Sequence, residues 1–348
     1  MRQGVHRAAA VPAVALAVAL TGTGCGPVLE ELDPGPPSAE VLALAEEMAP
    51  TDAGREAFLE SRPQLVAQEA VDRACLGARG EGWWGCYTNY FDTPRILLYD
   101  LPDDRLHGYL VGSATWALLG AAYDSLGDLA RAEVDGLVQA EVDALPPDHP
   151  VREDVDRATD GDLRSVGWQG FAVLGSSIPT ALAPALEARY AEFLTDRVAT
   201  VGIEQANVDA LDALSADLAA RWDAQAATEQ ANVEARSALE ADASSLELTR
   251  TSYNASVEEY NASSPDQRSR STARWTLWDG TVVESQPMGD ALTAVREHLE
   301  WAAADQRARR EALDAADVAA AASREELDAV AADLDELWAL LGPSQDED

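Results

Sequence analysis

The sequence predicts a mainly α protein in which an α-rich domain with one small β-hairpin precedes a long antiparallel helical coiled-coil hairpin. Two observations lead to this fold class. Apolar residues recur every seven residues in two long runs beyond residue 200, which is typical of coiled coils. Shorter amphipathic segments separated by Pro and Gly fill residues 38–200, which is typical of a globular domain.

Residues 1–24 have the pattern of an export signal. A basic start precedes an apolar segment, Ala8 to Leu20, that is too short to span a bilayer as a stable helix. The small residues before Cys25 are similar to a bacterial lipoprotein cleavage box. We therefore expect Cys25 to be lipidated, so that the protein is anchored to the bacterial cell membrane on its extracytoplasmic side; the alternative is an ordinary secretory signal. Residues 25–37 are expected to form a lipidated tether.

The charge balance restricts the partners. The chain has 348 residues and a formal net charge of −37, and such a field repels nucleic acid and anionic headgroups. We therefore expect no nucleic-acid partner. The expected contacts are the membrane through the lipid anchor, an envelope protein, and in one alternative a second copy of this chain.

Cys75 and Cys86 enclose a Gly-rich loop. In an exported chain they lie in an oxidising compartment, and a disulfide closing a loop of this length contributes about 3 kcal/mol. The sequence therefore predicts a disulfide between them. Metal binding by two isolated cysteines is the alternative.

The elements of the domain follow from caps and apolar spacing. In chain order we predict helices after Ser38 and Thr51, a helix over 63–75, a β-hairpin over 85–100, and helices over 109–126 and 129–145, around Trp168, and after Pro184. The acidic run from Asp154 to Asp162 lacks the spacing of an EF-hand, so it is interpreted as a solvated loop.

The coiled-coil arm is predicted over residues 201–341. Its first run includes Leu211, Leu218, Leu239 and Leu246, interrupted by two polar residues, and its second run extends from Leu292 to Leu341. Two runs of comparable length in one chain predict an antiparallel pair. The polar residues 263–271 between them are expected to be loose, and residues 342–348 are expected to be disordered.

A β-hairpin is predicted near residues 272–288, at the tip of the arm. Its Asp279-Gly280 pair suits a two-residue type I′ turn. Trp275 and Trp278 are the candidate partner-binding residues, because a small two-stranded hairpin is marginal in water and has to bury its large side chains. These side chains either fold back onto the ends of the helices or form an exposed patch for another protein.

Several short motifs within residues 51–200 occur together. They are Thr51-Asp52-x-Gly54-Arg55, Gly85-Cys86-Tyr87, Asp104-Arg105-Leu106-x-Gly108, Ala121-Ala122-Tyr123, Leu186-Glu187-x-x-Tyr190 and Asp196-Arg197. In combination they resemble a group of bacterial envelope proteins of the zincin-like metallopeptidase family, in which a domain with a His-Glu-x-x-His helix and a glutamate as third zinc ligand is followed by a long coiled coil. The resemblance implies the same fold for this chain.

The resemblance also implies a zinc site with His at positions 116 and 120, a general-base Glu at 117, and a ligand Glu at 169. This chain has Trp116, Ala117, Gly120 and Gln169 there. All four are changed, so neither catalytic residues nor metal ligands are carried over, and we expect no cofactor. We expect Trp116 to occupy part of the space of the metal site, with Gly120 making room beside it.

The sequence contains few signals for other catalytic or ligand-binding sites. His107, His149 and His298 form no close pair, and nucleophile-elbow, P-loop and dinucleotide-binding motifs are absent. The favoured interpretation is an inactive relative of a zinc metallopeptidase that acts as a scaffold or partner-binding lipoprotein. The alternatives are an envelope hydrolase with unrecognised catalytic residues, and a passive coiled-coil spacer.

Overall fold

The structure, a computed structural model, describes residues 35–75, 84–90, 93–159 and 166–341. The predicted signal segment, Cys25, most of the tether and the predicted tail over 342–348 lie outside the described residues. The prediction of a mainly α chain is confirmed, because helices dominate the described residues, whose strands form one three-stranded and one two-stranded sheet.

The elements are numbered in chain order. The helices are α1 (Ala39–Glu47), α2 (Asp52–Glu60), α3 (Gln68–Ala74), α4 (His107–Ser125), α5 (Asp128–Ala144), α6 (Pro150–Thr159), α7 (Val166–Ser177), α8 (Pro184–Tyr190), α9 (Arg197–Ala262), α10 (Pro265–Arg268) and α11 (Met288–Leu340). The strands are β1 (Gln64–Val66), β2 (Gly85–Tyr90), β3 (Thr93–Tyr99), β4 (Thr272–Thr276) and β5 (Val282–Pro287).

Helix α4 is the centre of the domain. From Gly108 to Tyr123 every residue except Ser113 is buried, as expected for a helix that is apolar on all sides. Helices α2, α7 and α9 and strands β2 and β3 cover it. Asn207 of α9 accepts a hydrogen bond from the Gly108 N–H at 2.9 Å, which satisfies one of the free amides at the start of a helix. The first arm helix therefore forms part of the domain.

The sheet of the domain has three strands. The predicted hairpin is present as β2 and β3, which pair antiparallel, and β1 adds to β3 in parallel. The prediction of a helix over 63–75 is wrong at its beginning, because Gln64–Val66 form β1 and helix α3 starts at Gln68. Pairing with a distant strand decides the conformation of such a short segment, and local sequence does not contain that information.

The predicted disulfide joins the sheet to the preceding helix. The sulfur atoms of Cys75 and Cys86 lie 1.98 Å apart. Cys75 follows the last turn of α3, and Cys86 is fully buried on β2. The disulfide therefore fixes the end of α3 to the sheet across residues 76–83, which lie outside the described residues.

The acidic run that begins at Asp154 is helical as far as Thr159, so its interpretation as a loop is wrong for residues 154–159. Val151 and Val155 are buried one turn apart in α6, which is helical spacing. Arg157 forms ion pairs with Glu153 and Asp154 on the outer face. The spacing of the two valines was the signal, and the surrounding acidic residues obscured it. Residues 160–165 lie outside the described residues.

Helices α9 and α11 form an antiparallel two-helix arm. Helix α9 has 66 residues and is about 100 Å long at 1.5 Å per residue; it runs unbroken through the predicted boundary at 200/201. Leu211, Leu218, Leu239 and Leu246 are buried, as are Leu327 and Leu334 on α11. Within the described residues, no helix combines the length and the apolar character needed to cross a membrane.

The middle of the arm is polar. At two successive heptad positions of α9, Gln225 donates to the Ala320 carbonyl at 2.8 Å and Asn232 donates to Asp317 at 3.0 Å. The Glu229–Arg324 ion pair adds to this region. Because these bonds require particular partners, they fix the register of the two helices.

The tip differs from the sequence prediction in two details. Residues 265–268 form α10, with a capping box between Ser264 and Gln267, where a loose segment was expected. The turn is not type I′, because Gly280 has a φ of 81° whereas Asp279 has no positive φ. Leu277 N–H donates to Thr281 O and Gly280 N–H to Leu277 O, which defines a three-residue loop with a bulge at the glycine.

Candidate functional sites

The positions implied by the metallopeptidase resemblance lie where α4 packs on α7. Trp116 is 5% exposed and Ala117 is fully buried. The ring centroids of Trp116 and Trp168 of α7 are 6.0 Å apart in an edge-to-face arrangement. Such a contact stabilises beyond its buried area, so aromatic and small side chains form a packed core at these positions.

The side chains nearest to Gly120 are those of Trp168 and Tyr87. A Cβ at this position would lie 3.3 Å from both Trp168 Nε1 and Tyr87 Cδ1, so any larger residue would have to displace one of them. Trp168 Nε1 donates to the Gly120 carbonyl at 3.3 Å. The absence of a side chain at Gly120 thus allows Trp168 and Tyr87 to pack against α4.

Gln169 follows Trp168 on α7 and is 8% exposed. Its Oε1 is buried and has no hydrogen-bond partner among the residues that the structure describes. An unsatisfied buried acceptor is costly, and no sequence signal indicated it. The residue lies on the helix that covers Trp116 and Gly120.

The histidines are engaged in separate local contacts. His107 bonds Glu47 at 2.6 Å and His298 bonds Asp279 at 3.0 Å. His149 Nδ1 accepts from the Val151 N–H. Across residues 35–75, 84–90, 93–159 and 166–341, no group of three or more His, Cys, Asp or Glu side chains is arranged to hold a metal ion.

A perturbed carboxyl group lies at the joint between the domain and the arm. The Glu204 side chain of α9 fits against Gly112 of α4, where a Cβ would overlap the carboxylate. Burial raises the pKa of Glu204 to about 7, since a low-dielectric environment disfavours the charged form. Burial, with the charges of Glu204 and Asp212, raises the pKa of Tyr109 to about 12. Glu204 was not among the predicted site residues, and the signal for this site in the sequence is the pair Gly108 and Gly112, one turn apart.

The root of the arm is fixed to the domain by a buried arginine. Arg197, the first residue of α9, has a side chain that is 2% exposed. It binds Glu187 at 2.6 Å and donates to the carbonyls of Ile178 at 2.6 Å and Thr180 at 2.5 Å. Burial alone would raise the pKa of Glu187, but hydrogen bonds from Arg197 and from the Leu182 N–H hold that pKa below its ordinary value.

The second arm helix is also attached to the domain. Arg105, just before α4, binds both carboxylate oxygens of Asp333 at 2.6 and 3.0 Å. Beside it lies an apolar cluster that combines residues of the domain with residues of both arm helices. Its buried members are Leu106, Tyr109, Leu211, Leu218, Leu327, Leu334, Leu337 and Leu341. The arm therefore leaves the domain in a defined direction.

At the far end of the arm, the hairpin folds back onto the two helices. The Trp275 ring meets Tyr253 of α9 at 6.0 Å, and the Trp278 ring meets His298 of α11 at 4.9 Å. Both tryptophans are partly buried, whereas a docking role for them requires that at least one be substantially exposed. Near the tip, Trp301 of α11 is an aromatic residue that is 59% exposed, and it was not among the predicted site residues.

No family model, curated protein or solved structure matches this chain. The likeness to zincin-like metallopeptidases therefore rests on the sequence motifs given above, and the loss of a zinc site at positions 116, 117, 120 and 169 remains a prediction.

Proposed function

We propose that the protein is a non-catalytic scaffold of the bacterial cell envelope, held at the membrane by a lipid on Cys25, and that its two-helix arm binds a partner protein. In this proposal the domain is an inactive relative of a metallopeptidase, and it serves as the base from which the arm projects.

The observation that carries the proposal is the rigid attachment of the arm. The buried Arg197 holds the first residue of α9, and an apolar cluster packs residues of both arm helices against Leu106 and Tyr109 of the domain. The Arg105–Asp333 ion pair on α11 is half exposed and adds little to this attachment. A passive spacer needs only length, whereas a fixed exit direction gives a partner site at the tip a defined position relative to the domain. This supports a scaffold over a spacer.

The rival is a hydrolase with unrecognised residues, which requires titratable groups that converge in a cleft. Glu204 is the observation that favours it, because a carboxyl with a pKa of about 7 suits a general base. However, this group is packed between α4 and α9. A purely structural role, as a buried acid at the joint between domain and arm, explains the raised pKa of Glu204 equally well.

The proposal is tested by placing a photo-crosslinking amino acid at single positions of the full chain in the native envelope. Val318 and Leu248 on the arm are 71% and 74% exposed, and Leu129 on the domain is 90% exposed. We expect a discrete crosslinked partner from at least one arm position and none from position 129. Crosslinks from position 129 alone, or stoichiometric zinc in the protein purified without chelator, would contradict the proposal.

Anchoring is tested by Cys25→Ser. Because lipid addition requires the thiol, we expect this variant to remain unprocessed or to leave the membrane fraction, while the disulfide pair Cys75 and Cys86 is untouched. The measurement is fractionation followed by intact mass. Unchanged membrane association, with no lipid mass on the wild-type chain, would remove lipidation from the proposal.

A further inference from the structure

Three elements enclose a groove near the tip of the arm. The loop of the hairpin contributes Trp278 and Asp279, helix α9 contributes Asp242, and helix α11 contributes Trp301 and Asp305, around a cavity of 150 Å³. The groove lies where the hairpin loop meets both long helices. Its shape therefore depends on the folded tip and not on one helix alone.

One wall of the groove is an exposed aromatic ring held in place by its neighbours. Trp301 is 59% exposed and its ring centroid lies 5.4 Å from that of His298, which in turn contacts Trp278. Asp279 fixes His298 by a 3.0 Å hydrogen bond. A large aromatic surface that is exposed but already ordered loses little entropy on binding, which is typical of residues that dominate interfaces.

The charge of the groove selects the occupant. Three aspartates line it with one arginine, Arg309, whose guanidinium already contacts Asp242 at 2.8 Å and Asp305 at 3.7 Å. The net charge of the residues that line the groove is negative, and the whole chain has a net charge of −37. The groove therefore repels anions. A neutral apolar group would desolvate the carboxylates without compensation. A cation compensates them and can also stack on the Trp301 face.

We infer that this groove binds an arginine side chain from a basic segment of a partner protein, with the guanidinium stacked on Trp301 and paired with Asp305. Arginine fits better than lysine because its planar group stacks and bonds at the same time. The inference rests on the proposed partner-binding function of the arm and names the surface and the partner chemistry.

The test uses the full chain with ¹⁵N-labelled tryptophan and an acetylated tetra-arginine peptide at 0.15 M salt, on the order of physiological ionic strength. The chain has nine tryptophans, and the Trp301 signal is assigned by its loss in Trp301→Phe. We expect saturable shifts confined to Trp301 and Trp278, and no response to a tetra-citrulline peptide of the same shape without charge. Equal shifts at all tryptophans, or an equal response to citrulline, would overturn the inference.

Variants separate the groove from general acidity. We expect Trp301→Ala to weaken peptide binding about tenfold, Trp301→Phe less, and Asp305→Asn about fivefold. The control combines Glu325→Gln with Glu326→Gln, which removes two exposed charges elsewhere on α11 and should weaken binding less than about twofold. Losses in the control that equal those in the groove variants would overturn the inference.

The outcome for the groove is distinguishable from the outcome for the scaffold function. Envelope crosslinks from positions 248 and 318 that persist unchanged in the double variant Trp301→Ala with Asp305→Asn would overturn the groove inference and leave the scaffold proposal standing. Absence of crosslinks from the wild-type arm would remove the scaffold proposal. Loss of crosslinks in the double variant at unchanged helix content supports both.

Discussion

Replacing Arg197 with methionine is expected to lower the free energy of unfolding by about 3–5 kcal/mol. The guanidinium is almost completely buried and binds Glu187 together with the carbonyls of Ile178 and Thr180. Methionine fills most of the volume but removes the Arg197 donors from both carbonyls and from the carboxylate, which keeps only the hydrogen bond from the Leu182 N–H. The loss arises from these stranded groups, since the net contribution of an intact buried ion pair is small.

The measurement is urea unfolding of the full chain at neutral pH. Arg324→Met is the matched control, because its ion pair with Glu229 on the arm is largely exposed and should contribute less than about 1 kcal/mol. Adding Glu187→Leu to Arg197→Met should recover part of the loss, because it removes the stranded carboxylate. A loss below 1 kcal/mol for Arg197→Met would show that the root of the arm is not fixed by this residue.

The arm was predictable because its pattern is local and repeated. Every seventh residue of α9 from Leu211 to Tyr260 is at least partly buried, including the polar Gln225 and Asn232. The seven-residue repeat thus marks the contact face even where the residue type does not. Strand β1 was not predictable in the same way, since its three residues acquire their conformation from β3, about 30 positions further along the chain.

The candidate sites were less predictable than the fold. An acidic sequence contains so many carboxylates that the pairing of Glu187 with Arg197 cannot be singled out from spacing. Trp301 carried a usable signal, because it lies one position before the buried Ala302 and therefore outside the seven-residue pattern of the contact face. The clustering of Trp275 and Trp278 drew attention to residues that the fold uses for packing.

Replacing Glu204 with glutamine is expected to stabilise the protein at pH 8 by about 3 kcal/mol and to have almost no effect near pH 4.5. The pKa of Glu204 is about 7 in the folded protein and ordinary in the unfolded chain. Between these two pKa values the folded state binds the proton more tightly than the unfolded chain. The contribution of Glu204 to stability therefore falls as the pH rises through this window and is constant outside it. Glutamine resembles the protonated acid and removes this dependence.

The free energy of unfolding is measured for the wild-type protein and for Glu204→Gln from pH 4.5 to 8. The difference between the two free energies is followed with pH, because the contributions of all other titrating groups cancel in it. Glu240→Gln is the control, since this exposed residue lies on the same helix and should change stability by less than about 0.5 kcal/mol throughout. Because Glu204 lies against Gly112 at the domain–arm joint, protection of the first turns of α9 from hydrogen exchange should rise in the glutamine variant at pH 8. A stability difference that is the same at every pH would mean that Glu204 is hydrated in the folded protein and that the joint is open to water.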